Sequence, residues 1–142
     1  MHPAGILYPV IAMAALTALV WLVMLVTRAR HMQAHGIVPN DMPTRVLADA
    51  KFGEAQTPNN NLMNLFELPV LFYVAAVIIF QLRSFDVIYS VLAWTFVLLR
   101  CVHSAIHLTY NDVLHRGLAY LLSGSILWLI WLRLAYQVMF GP

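Results

Sequence analysis

Charge is scarce in this chain of 142 residues: eight Lys and Arg and six Asp and Glu side chains make up 10% of it. A soluble domain needs more charge than that to cover its surface, so the chain reads as a polytopic membrane protein. The net charge of +2 is too small to attract nucleic acid, and no RNA- or DNA-binding motif is present, so no nucleic-acid partner is expected. The single cysteine, Cys101, excludes an internal disulfide. No basic run precedes the first apolar stretch, only Met1 and His2. That stretch is too long for a signal peptide and is followed by Arg28 and Arg30, which predicts a retained helix whose N-terminus is non-cytoplasmic. No repeat of the solenoid kind is found, and the whole chain, 1–142, reads as a single domain.

Hydrophobic residues make up 62% of the chain. Four apolar segments of about 20 residues, the length a bilayer crossing needs, are predicted as helices near 6–26, 61–80, 86–108 and 116–140, the third reaching as far as 111. Pro9 falls in the first turn of the first helix, where proline is tolerated. The fold class is therefore all-α, an integral membrane four-helix bundle in contact with the lipid bilayer. The first link is long and punctuated by Pro39, Pro43 and Pro58, and 44–52 could form a short amphipathic helix at the interface. The first and third loops carry Arg28, Arg30, Arg45, Lys51 and Arg116, against Arg83 alone in the second. The positive-inside rule then makes loops one and three cytoplasmic and both termini non-cytoplasmic. Arg133, nearer the C-terminal end of the fourth helix, is expected to snorkel toward the far interface.

The polar residues inside these apolar segments carry the functional signal. Arg100, His103, His107 and Asn111 fall on one helical stripe at about 100° per residue. Asn60, Asn64 and Glu67 form a second stripe on the preceding helix. Glu67 lies about 9 Å from the start of its helix and Arg100 about 12 Å from the end of its own, at 1.5 Å per residue. The two are thus near the same depth on antiparallel neighbours, and a buried Glu67–Arg100 ion pair would be the cheapest way to keep both charged in lipid. Pro69 removes the helical donor of the Leu65 carbonyl, so a kink is expected near Glu67, and such a defect needs protein or water around it. Such a pair could equally serve only helix register or subunit assembly. His103 and His107 have an i,i+4 spacing that can hold a metal, repeated by His31 and His35. With no further ligand motif, and with Arg100 alongside to repel a cation, no metal site is expected. Cys101 is expected to pack as a small apolar residue, and Trp94, Trp128 and Trp131 to serve packing or lipid contact.

Two of these motifs carry a resemblance. Asn64-Leu65-Phe66-Glu67 matches an Asn-x-x-Glu motif with a proline soon after, and Arg100-x-x-His103 is followed by Arg116 and then Tyr120. On matching helices, with a long first loop and short later links, the chain resembles the MAPEG family, the membrane-associated proteins in eicosanoid and glutathione metabolism. The spacing is similar to the microsomal prostaglandin E synthase branch, and the segment HLTYNDVLHR looks like a bacterial one. The resemblance implies a homotrimer with glutathione, as co-substrate, between subunits at the cytoplasmic side. It implies that Asn64, Glu67, Arg100, His103, His107 and Tyr120 line that site, that Arg28 or Arg30 contacts a ligand carboxylate, and that Arg116 is the catalytic residue stabilising the thiolate. It places the protein in a bacterial inner membrane.

Three positions depart from the family pattern. Asn60 stands where eukaryotic members usually carry an arginine, His107 where they often have a tyrosine, and Pro69 comes early. The expectation is a glutathione-dependent transferase or peroxidase that takes a lipophilic small molecule from the bilayer. The rival is a non-catalytic subunit of the same fold docked to a larger membrane complex. A channel is disfavoured, because the polar residues gather in one half of the membrane.

Overall fold

The computed structural model describes residues 2–141. A short 3-10 turn, Pro3–Ile6, leads into α1 (Leu7–His35). The link that follows holds a second 3-10 turn, Pro39–Asp41, and then α2 (Arg45–Phe52). A third such turn, Gly53–Gln56, joins α2 to α3 (Thr57–Leu65). The remaining helices are α4 (Leu68–Gln81), α5 (Val87–Leu108) and α6 (Val113–Phe140). Four helical stretches are long and apolar enough to cross a membrane: Pro3–His35, Arg45–Gln81, Val87–Leu108 and Val113–Phe140.

The helix ends follow from local chemistry. Thr44 caps α2 by accepting from the Leu47 amide, Asp86 caps α5 through Tyr89, and Asp112 caps α6 through His115. Gly36 ends α1 at φ 62°, the left-handed conformation in which glycine costs least. α1 runs nine residues beyond the expected Val26, so Arg28, Arg30 and His31 lie on helix and not in a loop. α6 starts at Val113, one turn before the expected position. α5 stops at Leu108 and does not reach Asn111.

The expected kink is a full break. α3 ends at Leu65, Phe66 and Glu67 turn, and α4 restarts at Leu68 with Pro69 in its first turn, where the missing N–H costs nothing. Glu67 holds φ −97° and ψ −102°, outside the helical region.

α5 and α6 pack along each other most extensively, with α4 against α6 and α1 against α3 and α5. Met13, Val20, Leu65, Phe72, Phe96, Leu127 and Ile130 form the shared core. Large apolar side chains cover the outside as well: Leu22, Leu98, Leu121 and Leu132 are all at least half exposed. Helices with apolar outer faces and the length of a bilayer crossing mark the chain as an integral membrane protein.

At the end of the bundle opposite the α5–α6 turn, Arg133 is held by partners within the protein. It grips Asp86 through both guanidinium nitrogens, with Nη1 donating to Oδ1 at 2.9 Å. Its guanidinium lies 4.1 Å from the Tyr89 ring centroid, and the Tyr89 hydroxyl donates to Gln137 at 2.6 Å. The Arg133 grip holds the Asp86 carboxyl below the usual carboxylate range.

A candidate ligand groove between α3, α5 and α6

The turn between α5 and α6 is short and positions the chemistry. Asn111 adopts φ 50°, which asparagine tolerates better than most residues, and its amide donates to the Ile106 carbonyl at 2.8 Å. Asp112 then caps α6, and the backbone N–H of His115 holds the Asp112 carboxyl below its ordinary value. The reversal brings the first turn of α6 back over the last turn of α5, and Arg116 lands beside His107.

Arg116 is clamped there. Its Nη1 donates to Asn111 Oδ1 at 2.6 Å and to His107 Nε2 at 3.3 Å. A guanidinium can only donate, so His107 Nε2 must be the unprotonated ring nitrogen. The Arg116 backbone carbonyl accepts from His103 Nδ1 at 2.9 Å. Both histidines are buried, and each is fixed in tautomer by Arg116.

These residues border an open groove of about 560 Å³, a size that suits a small-molecule ligand. Asn60, Met63 and Asn64 from α3 form one wall, and His103 and His107 from α5 the floor. Arg116, Gly117 and Tyr120 from α6 form the other wall, with Arg45, the first residue of α2, at the rim. Of the residues expected from sequence, Asn64, His103, His107, Arg116 and Tyr120 are thus brought together.

Arg100 sits at 0% exposure, outside the lining. Its Nη2 donates to the Asn64 carbonyl at 2.8 Å, and its guanidinium stands 5.4 Å from the Tyr120 ring centroid. The Glu67–Arg100 ion pair is a correction: among the described residues no such bridge forms. The break at Phe66 and Glu67 turns Glu67 outward, where it accepts from the Tyr120 hydroxyl at 3.1 Å. The same break leaves the α3 C-terminal carbonyls without helical donors, and Arg100 takes the one at Asn64. Below it, Ser104 donates to the fully buried Asn61 at 3.2 Å.

Arg28 and Arg30 do not line this groove. Arg28 lies over the Phe52 ring at 4.6 Å and reaches Gln56 at 3.4 Å, whereas Arg30 is exposed on α1. Arg45, Met63 and Gly117 line the groove without having been singled out as site residues. For Gly117 and Met63 helical spacing relative to Tyr120 and Asn60 was the available signal. For Arg45 there was none, since only the docking of α2 carries it there.

A model of the MAPEG family matches residues 6–136, nearly the whole chain. No curated protein and no solved structure matches it.

Proposed function

The chain belongs to the MAPEG family, and from that membership we propose that it is a glutathione-dependent membrane enzyme acting on a lipophilic substrate. The family includes glutathione transferases and peroxidases. The observation that carries the reading is the clamped Arg116 on the wall of an open groove. A guanidinium near a thiol favours the thiolate, which is the nucleophile. Asn64, His103, His107 and Tyr120 would bind or orient glutathione, while Glu67 and Arg100 hold the break and the wall behind it.

In conjugation the thiolate sulfur forms the new bond to an electrophilic carbon, and the leaving group departs with its electron pair. In the peroxidase variant two glutathione molecules are oxidised to the disulfide while a lipid hydroperoxide is reduced to an alcohol and water. Either chemistry needs binding, orientation and a local positive charge. The assembly proposed is a homotrimer with glutathione between subunits, so that Arg28 or Arg30 of a neighbouring copy could meet a ligand carboxylate. The groove end is proposed to face the cytoplasm of a bacterial inner membrane, with both termini on the other side.

The test is turnover of a panel of apolar electrophiles and a lipid hydroperoxide by purified protein in detergent, with and without glutathione. Glutathione-dependent turnover that falls about a hundredfold in Arg116→Ala, the scale of losing one charge-stabilising donor, supports the reading. Unchanged turnover in Arg116→Ala contradicts the thiolate role. A second reading, a non-catalytic membrane subunit, is favoured by Asn60, which puts a neutral side chain on the groove wall where eukaryotic members of the family usually carry arginine.

A further inference from the structure

We propose that Arg45 anchors one carboxylate of the ligand in this groove, leaving the other to a neighbouring copy, so that the groove holds a ligand bearing two separate negative charges. One charge, the thiolate, sits at Arg116, and the other, a carboxylate, at Arg45. The inference rests on the glutathione reading and deepens it by assigning one of that ligand's charged groups to the first residue of α2.

The groove's charge inventory is one-sided. Two guanidinium groups line it, from Arg45 and Arg116, and no carboxylate does. They come from different elements, α2 at the rim and α6 on the wall. Arg116 is already engaged by Asn111 and His107, whereas among the described residues Arg45 forms no side-chain hydrogen bond or ion pair. Its planar fork is free for a carboxylate, which it matches bidentately.

The position of Arg45 is built and not incidental. Thr44 caps α2, so Arg45 is its first residue. The far end of α2 is fastened to α1 and to the turn before α3. Phe52 is buried beneath the Arg28 guanidinium, His31 donates to the Lys51 carbonyl at 3.0 Å, and Gln56 donates to Asp49. This docking leaves the free end of α2 over the groove. A freely moving loop would give no fixed second charge, but a docked helix does.

The test is calorimetry on the full-length protein in detergent with three probes: glutathione and its two analogues in which one or other carboxylate is capped as the amide. In the wild type, capping one of the two carboxylates is expected to weaken binding about tenfold or more, the scale of one charge-assisted contact. In Arg45→Ala that same capping is expected to cost nothing, while Arg45→Lys retains part of the discrimination. The variant is expected to melt with the wild type, because the Arg45 side chain has no partner in the fold. If Arg45→Ala discriminates among the probes as the wild type does, or if the wild type binds all three equally, the assignment of Arg45 is overturned and the glutathione reading stands. If the wild type binds none of the three, both are overturned together.

Discussion

Arg116 and Asn111 are joined by a 2.6 Å hydrogen bond across the α5–α6 turn, and Asn111 makes it from a left-handed backbone conformation. The turn residue therefore does two separable things. Asn111→Gly keeps the backbone geometry and removes only the amide, so stability should stay within about 0.5 kcal/mol of wild type. Asn111→Ala also strains the turn by about 1 kcal/mol. Both should lower kcat/KM for glutathione-dependent turnover by about tenfold, through a guanidinium no longer held in place. Steady-state kinetics beside thermal melts separates the two effects; a loss of activity in Ala alone would mean that strain, and not the clamp, matters.

Glu67 and Arg100 should respond unequally to substitution. Breaking a buried ion pair from either side costs about 3–5 kcal/mol. Here Glu67 is exposed and accepts from the Tyr120 hydroxyl, whereas Arg100 is fully buried on a backbone carbonyl. Glu67→Gln keeps an acceptor for Tyr120 and should cost less than about 1 kcal/mol. Arg100→Ala strips a buried donor from the Asn64 carbonyl and leaves a cavity, and should cost about 3 kcal/mol or more. Melts in detergent that show equal losses would restore the ion pair.

The Asp86–Arg133 grip predicts a pH dependence of definite sign. The folded-state carboxyl lies below its ordinary value of 3.8, chiefly through the Arg133 hydrogen bond. A depressed carboxylate contributes stability above the unfolded value, and that contribution is lost as pH falls through the folded one. Asp86→Asn should thus melt below wild type at neutral pH. The difference between the two proteins should shrink as pH drops below about 4. Melting curves from pH 7 to pH 3 check this; a constant gap would mean that the Asp86 charge is not the source, since asparagine caps a helix about as well as aspartate.

Much of this architecture was legible in the sequence because it follows from local rules. Segment lengths indicated the four crossings, Pro69 pointed to a distortion near Glu67, and the segment 44–52 anticipated α2. Helical spacing also put His103 and His107 on the groove floor. What spacing could not supply was the partner of each charge. Depth alone paired Glu67 with Arg100, but the break turned one outward and freed a carbonyl for the other. Arg133 lies 47 residues from Asp86, and nothing along the chain indicated that they meet. Asn111 was legible as polar and in register, yet it joins Arg116 through a reversal that a continuing helix would have prevented.

The most direct measurement is the binding of glutathione to the purified protein by calorimetry, with Arg116→Ala alongside. The account predicts a dissociation constant in the micromolar to millimolar range for the wild type and at least about tenfold weaker binding in the variant. Equal binding by both proteins, or none by the wild type at millimolar glutathione, would contradict it.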